Sequence, residues 1–138
     1  MLASSNFMKT QFLLNRAMSA ESLRWKATTN NIANAETPYF KRSDVKFESQ
    51  LKRALKSESP YPFKAKMTSP KHIPFHKPVD FREVTPKVHY EYDTSFNNNK
   101  NNVDIDQEMV NAAQTTLRYK SFANFMGRNF RKINTVLR

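Results

Sequence analysis

Hydrophobic positions along this chain fall into two long helical stripes, one at each end, separated by a polar and proline-rich middle. Near the N-terminus, Phe7, Leu14, Met18, Trp25 and Ile32 recur at spacings of seven, four, seven and seven, which keeps them on one face of a helix. The pattern predicts a helix over residues 5–34. Gln11, Glu21 and Thr28 occupy the intervening positions of that stripe, so its apolar character is broken. Pro38 disfavours helix at Thr37, and Asn34 is suited to a left-handed terminating position. The helix is expected to stop between Asn34 and Thr37.

The second stripe is more regular. Met109, Ala112, Thr116, Tyr119, Ala123, Met126, Phe130, Ile133 and Leu137 alternate spacings of three and four without a break, the pattern of a coiled-coil seam. Asp104, followed by Gln107 three residues on, resembles a capping box that opens this helix. Acids cluster at its start and Arg131, Lys132 and Arg138 near its end, as the helix dipole favours. Val110, Ala113, Leu117 and Phe125 widen the apolar surface beyond one seam. Gly127 lies inside the helix and points to a close helix–helix approach.

Between the stripes, Phe47, Leu51 and Leu55 repeat every four residues and predict a short helix from Asp44 to Lys56, capped by Ser43 or Asp44. Six of the seven prolines fall between Pro60 and Pro86 and exclude regular helix there. Residues 88–92 alternate as a short strand, with 63–67 as the candidate partner. The run Asn97–Asn102 reads as a polar, flexible connector. The expected organisation is 1–38, N-terminal helix and its terminating motif; 39–102, short helix, extended middle and Asn-rich connector; 103–138, heptad helix. The fold class is mainly α, with the two long helices packed as a coiled-coil-like pair beside a small helix and a small extended region.

Composition narrows the chemistry. The chain has one glycine, where average usage in this length gives roughly ten. Phosphate-cradling loops and nucleophile elbows need glycine, so nucleotide-binding and hydrolase designs are not expected. There is no cysteine. His72 and His76 are separated by Pro74 and flanked by Pro70 and Pro78, which keeps them off a common helix face, and His89 does not complete a ligand set. No metal, cofactor or enzymatic activity is expected. The longest apolar run, Phe12-Leu13-Leu14, is far shorter than a membrane span or the apolar core of a cleaved signal peptide.

The net charge of +11 raises nucleic acid as a partner. Bases minus acids give 7 − 4 = +3 over residues 1–50, 10 − 5 = +5 over 51–102 and 6 − 3 = +3 over 103–138, so the excess is spread along the chain. The alternative is a basic helical nucleic-acid-binding protein, with Tyr61, Phe63, Phe75 and Phe81 interleaved with Lys64, Lys66, Lys71 and Arg82 to stack on bases. A stand-alone helical hairpin adaptor is the third reading.

One motif goes beyond helix geometry. Asn30-Asn31-Ile32-Ala33-Asn34, followed by Thr37-Pro38, puts three asparagines in the last turn of a helix, where asparagine is a poor former and its amide competes for backbone groups. A stop signal accounts for one of them and the proline. The stretch resembles the N-terminal signature of bacterial flagellar axial proteins, whose usual form ends Asn-Asn-Ile-Ala-Asn and turns through Thr-Pro-Gly-Tyr. Here Tyr39-Phe40 follows Pro38 directly, without the glycine. Asn101-Asn102-Val103-Asp104-Ile105-Asp106-Gln107-Glu108-Met109 resembles the opening of the C-terminal helix of rod proteins. Residues 47–55 are similar to the segment after the signature in proximal rod members. The resemblance covers both ends of the chain.

It implies a non-enzymatic building block of the flagellar basal-body rod, with terminal helices that pack among subunits into a tube. It also implies a periplasmic location reached by type III export without a cleaved signal peptide. The implied neighbours are other rod subunits, the membrane-ring protein FliF, the adaptor FliE and export-gate proteins. The assembly motif carried over is Asn30, Asn31, Ile32, Asn34, Thr37 and Pro38, together with the two helical stripes.

Overall fold

The computed structural model describes residues 2–58, 66–73, 79–92 and 98–137. The elements run α1 (Leu2–Ala33), β1 (Ser43–Lys46), α2 (Glu48–Ser57), β2 (Lys87–Tyr90) and α3 (Ile105–Val136). The chain is mainly helical, and its two long helices pack on one another. Each has 32 residues, roughly 48 Å at 1.5 Å per residue. Polar side chains within them are accommodated by bonding back one turn. Thr10, Ser19, Thr116, Ser121 and Thr135 each donate a hydroxyl to the carbonyl four residues earlier.

α1 and α3 run antiparallel. Asn31, late in α1, meets Glu108, early in α3, while Glu21 lies 4.0 Å from Arg118 further along. Small residues allow the approach: Ala20, Ala27 and Ala35 are buried, with Val45 and Val103 closing the same end. Polar groups share that face, because Glu21, Thr28, Asn31, Glu108 and Thr115 are buried too. Asp104 caps α3 with its carboxylate, accepting from the N–H groups of Asp106 and Gln107. The reciprocal half of a capping box, the Gln107 oxygen accepting the Asp104 N–H, is not formed among the described residues; the Gln107 amide nitrogen donates to Asn111.

Contact density separates two units, Met1–Val45 with Pro86–Arg138, and Lys46–Thr85. In the second, α2 starts at Glu48 rather than Asp44, and the reason is local. Residues 43–46 are a strand, the Ser43 hydroxyl donates to Asn31, and the Asp44 carboxylate accepts the Val45 N–H, so neither side chain is left to cap. Within this unit Phe47, Ala54, Phe81 and Val84 are buried, and the Ser57 hydroxyl donates to Ala54 O and accepts from Val79 N. Burial of Phe81 removes one of the aromatics considered as a base-stacking platform. Tyr61, Phe63, Lys64, Phe75, His76 and Asn97 lie outside the described residues.

The two strands form a small antiparallel sheet of β1 and β2, so β2 pairs with residues 43–46; of the expected partner 63–67, residues 63–65 are not described. Asn101 and Asn102, expected in a flexible connector, are buried because they satisfy backbone groups of the neighbouring turn. At Gly127 nothing among the described residues lies within 4 Å of where a Cβ would stand, so the expected close approach does not occur among them. Gly127→Ala should therefore stabilise the isolated subunit by about 1 kcal/mol, read as a raised midpoint in thermal unfolding.

Candidate assembly site

The end of α1, the turn after it and the start of α3 are joined by one hydrogen-bonded network. Asn31 is 0% exposed and has every hydrogen-bonding position filled. Its amide nitrogen donates to Ser43 O at 2.8 Å and to Glu108 Oε2 at 3.0 Å. Its oxygen accepts from Ser43 N at 3.0 Å and Ser43 Oγ at 3.1 Å. Two donors and two lone pairs are all an asparagine side chain has. No aspartate could replace it, because both donors would be lost beside a carboxylate.

Glu108 is 1% exposed, and a charge so buried must be compensated. Arg42 supplies that compensation through Nε at 2.8 Å from Oε1, and Asn111 donates to the same oxygen at 3.1 Å. Arg42 also reaches Glu91 at 3.1 Å. Burial works against the Arg42 charge, but the hydrogen bond and charge of Glu108, followed by Glu91 and Asp44, outweigh it and raise its pKa. Asn102 locks the adjoining backbone: its oxygen accepts Arg42 N and its amide donates to Glu91 O, both at 2.7 Å.

Asn101 closes the other side. Its amide nitrogen lies 2.9 Å from each of the carbonyl oxygens of Asn34, Ala35 and Thr37, while its own oxygen accepts Val103 N at 2.7 Å. The last carbonyls of a helix lack intrahelical partners, and here a residue far along the chain supplies one. Asn34 donates to Asn30 O at 2.8 Å and accepts from Thr37 N on its carbonyl at 3.0 Å. The three asparagines of the motif therefore do different work. Asn31 faces inward, Asn34 half-buried shapes the turn, and Asn30 is exposed.

Thr37 and Pro38 are exposed and Ile32 is half-buried. Tyr39 adopts φ 61°, the left-handed conformation open to glycine and rare for a bulky residue. The turn thus keeps a glycine-like backbone without a glycine. It is held by Tyr39 N donating to Asn99 O at 3.0 Å and Phe40 N to Thr37 O at 3.3 Å. Phe40 is half-buried and Tyr39 exposed.

Along the helices, Phe7, Leu14 and Met18 are half-buried, whereas Trp25 is 46% exposed. On α3, Ala112, Thr116, Met126 and Ile133 are half-buried, while Met109, Tyr119, Ala123, Phe130 and Leu137 are exposed. The face turned inward includes Glu108, Thr115, Phe122 and Asn129, each one residue before an expected seam position. Much of the apolar stripe consequently faces away from α1. Sequence reasoning did not single out Arg42 or Glu91, read Ser43 only as a candidate helix cap, and took Asn101, Asn102 and Glu108 only as parts of the stretch that opens α3. The only signal was the Asn-Asn-Val-Asp stretch, a pattern without a partner.

A helix pair with a fully bonded polar junction and an uncovered apolar stripe defines a subunit of a helical assembly. The sequence profile of the family described as Flagella basal body rod protein matches residues 14–41, which contain the asparagine motif and the turn. The chain is 34% identical to the flagellar basal body rod protein FlgB of Borreliella burgdorferi, over 97% of this chain and 99% of that protein. It is 32% identical to FlgB of Bacillus subtilis, over 90% and 89%, and 26% identical to FlgB of Escherichia coli, over 88% and 87%. The chain belongs to the flagellar basal body rod protein family and is a structural subunit of the rod.

Arg42→Ala takes the only cation from the buried Glu108 carboxylate among the described residues, and should destabilise the subunit by about 3–5 kcal/mol. Glu108→Gln in the same background should restore part of the loss. Denaturant unfolding of the native chain and the two variants checks both.

Proposed function

We propose that this subunit sits at the membrane-proximal end of the rod, where it contacts the membrane-ring protein FliF, the adaptor FliE, the export gate and further rod subunits. It reaches that position in the periplasm through the flagellar export apparatus. Within it, Asn30, Asn31, Ile32, Asn34, Thr37 and Pro38 fix the corner between α1 and α3, so that both helices enter the tube as a preset pair. The two stripes supply the surface that neighbouring subunits cover.

The observation that carries this reading is the uncovered apolar side of α3. Met109, Val110, Leu117, Tyr119, Phe125 and Phe130 are all exposed in the single chain. Each is already about half covered, so removing the rest from water is worth about half of the roughly 1.5–3 kcal/mol for a whole side chain, which over several residues still offsets much of the freedom lost on association. Among the described residues, no helix is long and apolar enough to cross a membrane.

Phe130 is 55% exposed, so Phe130→Asp should alter the isolated subunit's stability by no more than about 0.5 kcal/mol. It should nevertheless remove the protein from purified basal bodies and abolish motility. Normal swimming in cells whose only copy carries this change would overturn the role given to α3.

A further inference from the structure

A groove of about 330 Å³ opens between α1 and α3, lined by Glu21, Ser22, Trp25, Thr115, Thr116 and Tyr119, with Lys120 at its edge. Glu21 is 3% exposed and the only acid of α1. Its Oε1 receives Arg24 Nη1 at 2.7 Å and lies 4.0 Å from Arg118 Nη1. Its Oε2 is buried and accepts no hydrogen bond from the described residues, a costly state for a carboxylate oxygen. Three basic side chains, Arg24, Arg118 and Lys120, already border the site, so Oε2 lacks a donor rather than a further cation. The walls, Trp25 and Tyr119, are aromatic and partly exposed. A site of this size and make-up suits one aromatic side chain with a hydroxyl.

The same chain presents such a group. Tyr39 is 69% exposed on a left-handed backbone that costs on the order of 1–2 kcal/mol for a residue with a Cβ. The turn is tied to Asn99, and Lys100, itself at φ 63°, holds its ammonium 5.5 Å from the Tyr39 ring centre. The ring is thus displayed on a braced turn. Strained conformations of this kind cluster where a residue is held for binding. Along α1 the turn is separated from Glu21 by roughly 20 Å of rigid helix, so Tyr39 cannot reach its own groove.

We propose that Tyr39 of one copy seats in the α1–α3 groove of a neighbouring copy, between Trp25 and Tyr119, where the Glu21 carboxylate turns its covered Oε2 toward the groove to accept the hydroxyl. This rests on the rod-subunit reading and names one contact within it. Two different patches of the same chain meet, so the contact is head-to-tail, and a head-to-tail contact whose rotation does not close generates an open helical array. The phenol itself is neutral, and the Lys100 ammonium that lies over the free ring must swing aside, away from Arg118 and Lys120, as the ring seats.

The test places p-azidophenylalanine, a photoreactive relative of tyrosine, at position 39 of the full chain in flagellated cells and irradiates purified basal bodies. The expected product joins position 39 of one copy to a peptide of another copy containing Ser22–Trp25 or Thr115–Tyr119. Incorporated subunits that cross-link to a different protein, or to another segment of a second copy, overturn this contact and leave the rod reading intact. Absence of the native chain from basal bodies overturns both.

Tyr39→Gly gives an independent readout, because glycine accepts the left-handed turn and the isolated subunit should melt no lower than the native one. Its incorporation should fall about tenfold or more, the loss expected for one hydrogen bond to a buried charge. Adding Glu21→Gln should cause little further loss. Incorporation of Tyr39→Gly at the native level overturns the proposal.

Discussion

The buried contact of Asn31 with Glu108 is the constraint on which the rest of this molecule depends. It joins residues 77 positions apart in the chain and fixes where the end of α1 meets the start of α3. A buried carboxylate left alone is strongly unfavourable, so Glu108 forces Arg42 into place. Arg42 in turn positions the backbone that Asn102 and Glu91 bind. The result is a junction whose members are mutually satisfied, and a partly satisfied network of this kind would be worse than an apolar one. Apolar packing tolerates sliding between helices; a network with four filled positions on one asparagine does not.

That polarity has a consequence for the long helices. Because Glu21, Thr28, Asn31, Glu108 and Thr115 occupy the face shared by α1 and α3, the apolar residues are displaced to its flanks and beyond. An amphipathic helix normally turns its apolar stripe to its own core. Here the stripe is only partly turned inward, and the single chain leaves Leu117, Phe125 and Phe130 exposed. Register within the subunit is thereby set by polar residues, while large apolar ones are left exposed in the single chain. A subunit built this way can keep its internal geometry while its outer faces are matched to neighbours.

The existence and length of both long helices were legible because their signals are local: spacing, a capping aspartate and a proline after the last turn. The α3 stripe was legible as a pattern, yet its orientation was not. Periodicity identifies an apolar face without saying whether that face meets the same chain or another. The polar junction was harder still, because each of its members looks ordinary alone. Asn101 and Asn102 sit in an asparagine run that reads as a loop, and only the fold shows three carbonyls converging on the Asn101 amide. Glu108 reads as a first-turn acid favoured by the helix dipole, and nothing in the sequence pairs it with Arg42. The displaced start of α2 has the same origin, since Ser43 has its cap-forming hydroxyl taken by Asn31.

Charge complements this division. From residue 109 onward α3 carries five bases and no acid, so copies brought side by side repel one another. For exposed charges that repulsion amounts to about 1 kcal/mol per pair at 4 Å in water and fades beyond roughly 8 Å at physiological salt. Burial of one large apolar side chain yields more than that. Apolar contact therefore decides whether α3 surfaces associate, and the repulsion acts mainly on which alignments they accept. An alignment that sets the basic residues of one helix against those of its neighbour is disfavoured, whereas one that staggers them keeps the full apolar gain. Under the proposed role of α3, the helix would then be adhesive along its stripe and selective through its charge.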